Sequence, residues 1–328
     1  MRPRGTWLLV LAAMNCAIAV DACGSRTGFT DDAEITFGAP DGGPLVAPPI
    51  DGARRRDARE LPAPDALPPI DARPLPDVMR DDCPDADATL VYVVTQENQL
   101  FSFYPPTATF TAIGKLVCPS APNQTAFSMA VDRKGKAYVV YSDGNLYAVS
   151  TATAACVPTG FAIGQKGFVT FGMGFVSDTN GAAERLYIAE NDFKNLTGIS
   201  KGLATIDLVS FGVTLIAPFS PPRRGPELTG TGDGRLFGFS TRATATGSNI
   251  VEIDKATAAV VASNDLPFGT PLDAFAFAYW GGEFWVFTSQ TASGAQVTRY
   301  RPSDGTSAVV TTHPQIIVGA GVSTCAPQ

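Results

Sequence analysis

The sequence predicts an all-β protein, a five-bladed β-propeller built from four-stranded antiparallel blades. Two observations lead to this prediction. One pattern, a small and apolar run followed by an Asp/Gly turn and two alternating strands, occurs five times after residue 90. The copies begin about 48 residues apart, and this even spacing matches the roughly 40–50 residues of known propeller blades.

The four strands of a blade are clearest in the second copy. Tyr138 and Val140 stand at alternate positions of one apolar run, which is the period of a β-strand. Asp143 and Gly144 then predict a tight hairpin, because Gly accepts the positive φ that the turn requires. A short run near Cys156 completes the unit. The second strand of the unit recurs at residues 90–94, 137–141, 185–189, 235–239 and 283–287.

The first strand of each copy is rich in Gly, Ala and Ser, which predicts the innermost position in the blade. Innermost strands converge on the axis of the ring, where small residues let neighbouring backbones approach closely. The copies of this strand begin at Phe127, Phe171, Glu227, Phe275 and Val318.

The two ends of the repeat region are each incomplete. The strand at 90–94 has no innermost strand before it, because the preceding residues are too polar. The strand at 318–324 has no outer strands after it. We therefore expect these two segments to pair and complete one blade, which closes the ring without an exposed edge.

Glu227 is the sharpest departure from the repeat, because three other copies have Phe at the same position. Arg223 and Arg224 lie in the loop just before it. A carboxylate beside arginines at a channel mouth could bind a polar ligand, and the competing interpretation is a local ion pair. Two long loops, 190–201 and 240–249, share this face, where propellers usually bind ligands. The other candidate ligand-binding residues are Asn191, Asp192, Phe193 and Lys194.

Four cysteines in the repeat region predict disulfides rather than a metal site. We expect Cys83 to pair with Cys325 and lock the closure, and Cys118 to pair with Cys156 and join neighbouring blades. The chain has no C-x-x-C motif, and its one histidine, His313, precedes a proline in an outer turn, where we expect a surface residue. We therefore predict no metal, no cofactor and no histidine-based hydrolase.

Residues 1–22 are typical of an export signal. Arg2 and Arg4 give a positive start, and the apolar run that follows is too short for a membrane span. Two processing routes stay open. Cleavage could follow Ala19, or a partial lipobox could make Cys23 the lipidated first residue, although Asp21 departs from the usual lipobox.

Residues 23–82 form a different kind of segment, rich in Pro and Asp. Prolines at this density block helix and sheet, so we expect a disordered spacer between the lipid anchor and the propeller at 83–328. Its Arg54-Arg-Arg56 run is flanked by Asp51 and Asp57, which indicates a solvated charge run. The net charge of −7 also argues against a nucleic-acid partner.

The chain resembles uncharacterised secreted β-propeller-like lipoproteins of the myxobacterial type. The resemblance lies in Cys23 followed by Gly-Ser-Arg-Thr-Gly, in the spacer, and in the segments 126–132, 227–237 and 318–325. It implies a lipoprotein of the cell surface or periplasm, and it implies no known activity.

The sequence therefore favours a monomeric binding or scaffold module, anchored at the cell envelope, that recognises an unknown protein or glycan. The alternative is a secreted lyase or hydrolase, which would need two or more carboxylates at one channel mouth. A polar cluster in the channel favours the enzyme. The scaffold is favoured by an apolar plug made of Met129, Met173, Phe277 and Ala320.

Overall fold

A computed structural model describes residues 90–178, 183–192, 198–241, 247–266, 268, 272–290 and 294–328. These residues form twenty strands, arranged as five four-stranded sheets, and every neighbouring pair of strands within a sheet is antiparallel. In the part of the chain described, no helix is long and apolar enough to cross a membrane. The fold is the predicted five-bladed β-propeller.

Each blade is described from its inner strand outward. Blade 1 contains β20 (Ile317–Val322), β1 (Val91–Thr95), β2 (Gln99–Tyr104) and β3 (Thr109–Lys115). Blade 2 contains β4 (Ala126–Val131), β5 (Lys136–Tyr141), β6 (Leu146–Ser150) and β7 (Cys156–Pro158). Blade 3 contains β8 (Phe171–Ser177), β9 (Glu184–Glu190), β10 (Leu203–Ile206) and β11 (Val213–Ala217). Blade 4 contains β12 (Glu227–Gly230), β13 (Leu236–Thr241), β14 (Ser248–Ile253) and β15 (Val260–Leu266). Blade 5 contains β16 (Ala274–Trp280), β17 (Glu283–Ser289), β18 (Ala295–Arg301) and β19 (Thr306–His313).

Blade 1 is assembled from both ends of the described chain. Strand β20 pairs antiparallel with β1, with Val322 opposite Val91 and Ala320 opposite Val93. The predicted closure is therefore confirmed. Because β20 occupies the innermost position, the last strand of the chain holds the first blade in the ring.

Glycines let the inner strands approach one another, as their small-residue composition predicts. A Cβ at Gly172 of β8 would collide with the carbonyl oxygen of Pro226, just before β12. A Cβ at Gly319 of β20 would lie 2.9 Å from the backbone nitrogen of Met129 in β4. Real Cβ atoms do not tolerate such contacts, so the spacing of the inner strands depends on these glycines.

The apolar side chains of the inner strands fill the spaces between blades. Sheets packed face to face direct alternate side chains toward the neighbour on each side. Met129, Met173, Phe277 and Ala320 are all buried, but each belongs to a different cluster between two blades. They do not form a common plug in the axis.

One predicted disulfide is confirmed. Cys118, which follows β3, is bonded to Cys156 at the start of β7, with 5.1 Å between the Cα atoms. The bond joins blades 1 and 2 at their outer strands. Cys325 is also disulfide-bonded. Its predicted partner Cys83 lies outside the described residues, as do the signal, Cys23 and the spacer, so these remain predictions.

Candidate functional site

The inner strands all begin at one end of the ring axis, and a cavity of about 490 Å³ opens there. We call it the mouth cavity. Four of the five residues that start the inner strands in the sequence repeat, Phe127, Glu227, Phe275 and Val318, line it. The fifth, Phe171, is instead buried against Phe161. The remaining lining residues are Gln96, Thr125, Ala126, Ser142, Asn191, Asp273, Ala274 and Ile316.

Glu227 is the most buried charged residue of the mouth cavity. Only 3% of its surface is exposed. Its Oε2 atom accepts a hydrogen bond of 2.6 Å from the hydroxyl of Ser128. This bond links the inner strand of blade 4 directly to the inner strand of blade 2, although blade 3 lies between these blades in the ring. Among the described residues, Oε1 has no hydrogen-bond partner.

The environment of Glu227 favours its neutral form. Burial raises the pKa of this carboxyl well above its usual range, and the hydrogen bond from Ser128 opposes that rise. No cationic side chain contributes to the pKa. Glu227 is therefore a carboxyl group with a raised pKa in the lining of the mouth cavity.

The two arginines before Glu227 do not approach it. Arg223 donates from Nη2 to Ser240 Oγ (3.1 Å) and to Asn249 Oδ1 (2.9 Å), which lie at the β13–β14 connection. Burial lowers the pKa of Arg223 to about 10, so its guanidinium stays charged at neutral pH. Arg224 is exposed. The competing interpretation, a local ion pair with Glu227, is not found among the described residues, because Arg223 is bonded at the β13–β14 connection and no arginine contributes to the pKa of Glu227.

Asn191 is the candidate that the structure brings together with Glu227. Its backbone N–H donates to Thr170 O (3.0 Å), and Thr170 Oγ1 donates to Asn191 O (2.8 Å). These bonds fix the end of β9 beside the start of β8, so the Asn191 side chain lines the mouth cavity. Asp192 follows it, half-buried, outside the lining. Phe193 and Lys194 lie outside the described residues.

Four polar lining residues were not predicted, because they are ordinary residue types. Gln96 and Ser142 each follow the second strand of a blade, as the predicted Asn191 does, and Thr125 and Asp273 each precede an inner strand. Their position in the repeat was the available signal. Asp273 places a second carboxylate on the cavity wall, exposed where Glu227 is buried.

The opposite end of the axis contains a buried polar network around Arg133. Its backbone N–H donates to Glu184 Oε1 (2.7 Å), its Nε donates to Thr324 Oγ1 (3.1 Å), and its Nη2 donates to Ser177 Oγ (3.0 Å). Thr324 in turn donates to Glu184 Oε2 (2.8 Å). Burial raises the pKa of the Glu184 carboxyl, and the hydrogen bonds from Arg133 and Thr324 oppose that rise.

The C-terminal segment, residues 323–328, covers this end of the ring. Besides Thr324, it accepts a hydrogen bond at Pro327 O from the backbone N–H of Gly281, in the first turn of blade 5 (2.8 Å). A Cβ at Gly232, in the first turn of blade 4, would collide with Thr324 O. The segment thus contacts the turns of blades 2, 3, 4 and 5. The mouth cavity lies at the other end.

His313 has a structural role. It is buried, contrary to the expected surface position, with its ring 4.6 Å from that of Phe101 and 4.7 Å from that of Phe110. Burial lowers the pKa of the imidazole. Among the residues that the structure describes, no group of three or more His, Cys, Asp or Glu could hold a metal ion.

The fold and the mouth cavity define the class as a five-bladed β-propeller with an accessible axial cavity. No family model and no curated protein matches the chain. Among solved structures, it is similar to the Dos1 propeller, with 12% identity over 71% of this chain and 55% of that chain, at a TM-score of 0.37. The chain thus spans about half the length of that protein.

Two further likenesses are to enzymes. One is hydrazine synthase of Kuenenia stuttgartiensis, with 14% identity over 68% of this chain and 63% of that chain, at a TM-score of 0.36. The other is an exo-β-1,3-galactanase of Phanerochaete chrysosporium, with 11% identity over 58% of this chain and 54% of that chain, at a TM-score of 0.40. At such identities and TM-scores these likenesses carry no inference about ligand or activity.

Proposed function

We propose that this protein is a binding or scaffold propeller held at the cell envelope, and that the mouth cavity recognises its protein or glycan ligand. The observation that carries the proposal is the cavity itself. Its volume of about 490 Å³ lies within the roughly 300–1,000 Å³ of ligand pockets. The C-terminal segment covers the opposite end of the axis, so a ligand approaches from the mouth.

The lining of the mouth cavity supports recognition of a polar ligand. Phe127 and Phe275 are half-buried and offer aromatic surface, and amide and hydroxyl groups come from Asn191, Thr125 and Ser142. A few polar groups placed among apolar ones are typical of sites that orient a ligand. A cavity at the end of the ring axis can admit the end of a polymer chain, whereas a flat protein surface would not enter it.

Attachment to the envelope is supported by the sequence. The signal at 1–22 directs export, and Cys23 receives a lipid. The Pro/Asp-rich spacer at 23–82 separates the propeller from the membrane surface. Anchoring would keep the mouth cavity close to envelope polymers and proteins.

The proposal is tested by filling the mouth cavity. Ala274→Trp places a large ring on the cavity wall, whereas Ala256→Trp adds the same ring to an exposed turn on the opposite face. Immobilised full-length protein and both variants are incubated with solubilised envelope fractions, and the captured glycans and proteins are quantified. We expect Ala274→Trp to lose capture and Ala256→Trp to keep it. Equal capture by both variants would contradict the proposal.

One observation favours the enzyme alternative. Asp273 and Glu227 place two carboxylates on one cavity wall, one exposed and one buried. Hydrolases that cleave glycosidic bonds use such a pair, with the raised-pKa group as the acid. Release of reducing ends from envelope polysaccharide, lost in both Glu227→Gln and Asp273→Asn, would replace the binding proposal with a catalytic one.

A further inference from the structure

We infer that the mouth cavity binds an amino sugar, whose free ammonium group pairs with the Glu227 carboxylate. The inference rests on the proposed function and deepens it by naming the ligand class. In the sequence, Glu227 closely follows two arginines, which suggests polar ligands in general. The geometry points instead to a cation supplied by the ligand.

The ionisable side chains that line the mouth cavity are acidic. Its two ionisable lining residues among those described are Glu227 and Asp273, and no Lys or Arg lines it. Arg223 is hydrogen-bonded to Ser240 and Asn249 instead. Such a cavity selects cationic over anionic ligands, because an anion would face two carboxyl groups without a compensating charge.

Glu227 itself lacks a counter-charge. A buried carboxylate is costly unless it is paired and hydrogen-bonded. Its Oε2 atom accepts from Ser128, and Oε1 has no partner among the described residues. A ligand ammonium group that reached Oε1 would supply both the missing hydrogen bond and the missing charge.

The rest of the lining favours a sugar over a lysine side chain. A lysine needs only a narrow apolar channel for its stem. The mouth cavity has a volume of about 490 Å³, and it presents hydroxyl and amide groups from Thr125, Ser142 and Asn191 beside the rings of Phe127 and Phe275. Aromatic rings attract an ammonium group through their faces. The polar groups match the ring hydroxyls of an amino sugar.

Binding then releases a proton. In the free protein, burial favours the neutral form of Glu227, and in the complex the group is a carboxylate that faces R–NH₃⁺. The Glu227 proton leaves to solvent, and no covalent bond to the ligand forms. The inner strands of the other blades, which surround Glu227, carry no Asp, Glu, Lys or Arg; they are β4, β8, β16 and β20. At the end of β9, the Glu190 side chain accepts from the backbone N–H of Lys201 (2.9 Å).

The test compares two sugars of the same backbone, one with acetylated nitrogens and one with free ammonium groups. The full-length protein is titrated by calorimetry with chitotetraose and with its fully deacetylated form, in two buffers of different ionisation enthalpy. We expect the deacetylated form to bind about tenfold more tightly, the ratio that corresponds to one charge-assisted hydrogen bond. At a pH low enough to keep the sugar amine charged, we also expect proton release that approaches one per site. In that range affinity should rise with pH as long as Glu227 is protonated in the free protein.

The variants assign the effect to one group. Glu227→Gln keeps the shape and an acceptor for Ser128, so it should fold normally, bind both forms equally and release no proton. Asp254→Asn removes an exposed carboxylate from the opposite face and should keep the full preference. Circular dichroism and melting curves check that each variant is folded.

Other outcomes would overturn the inference. Equal affinity for the two sugars, no measurable binding of either sugar, or equally tight binding of tetralysine would each contradict it. If both sugars bind equally and Ala274→Trp abolishes that binding, the amino-sugar inference fails while the mouth cavity remains the recognition site. If Ala274→Trp leaves sugar binding unchanged, the proposed function fails as well.

Discussion

Burial of Glu227 predicts a specific pH dependence of stability. Its pKa is raised in the folded protein, so the folded state holds a proton that the unfolded state loses above a pH of about 4.3. The stability that this proton contributes is fully present below that pH. It decreases as the pH rises toward the folded-state pKa of Glu227.

The magnitude follows from linkage. Within this pH window, one group loses about 1.4 kcal/mol of folding stability per pH unit. For a domain of this size, each kcal/mol corresponds to roughly 2–4 °C in Tm. Glu227→Gln has no titrating proton at this position. The Tm of the variant should therefore rise relative to that of the wild type by about 3–6 °C for each pH unit in the window.

The assay is thermal unfolding of wild type and Glu227→Gln from pH 5 to pH 8. The difference between the two Tm values removes the contributions of other titrating groups, including Glu184. Asp273→Asn is the matched control, and its difference from the wild type should not change with pH in the same way. A constant Tm difference between wild type and Glu227→Gln would refute the argument.

Three further predictions follow from other parts of the chain. Arg133→Met should lower the free energy of unfolding in urea by about 2–3 kcal/mol, because it leaves the largely buried Glu184 without its cation. Lys134→Met, at the exposed neighbouring position, should change it little. Replacing Cys118 and Cys156 by Ser should lower the free energy of unfolding by about 2–4 kcal/mol, since the bond closes a loop with a sequence separation of 38. An unchanged free energy of unfolding would show that the disulfide does not stabilise the fold. Cys23→Ser should abolish palmitate labelling and release the protein from the membrane fraction, and an unlabelled wild type would contradict lipidation.

The repeat made the blades and the closure predictable. Alternation at Tyr138 and Val140 and the Asp143-Gly144 turn are local signals, and the even spacing extends them around the ring. The missing inner strand before residue 90 and the unpaired run at 318–324 had one solution, because a ring leaves no edge. Glu227 was found in the same way, as a change at a repeated position.

The contacts of individual polar side chains were not predictable. Arg223 stands four residues from Glu227 in sequence, yet its guanidinium direction depends on the path of the loop. The network of Arg133, Glu184 and Thr324 joins residues far apart in the chain. In sequence each of them is an ordinary turn or strand-end residue, and only the ring brings them together at one end of the axis.

The central claim is that ligand recognition occurs at the mouth cavity. Hydrogen exchange of the full-length protein, with and without a saturating envelope glycan fraction, tests it most directly. We predict protection in peptides that carry the starts of β4, β12 and β16 and the turn at Ser142. Protection confined to the opposite face, in the turns that contain Arg133 and Gly232, would contradict the claim.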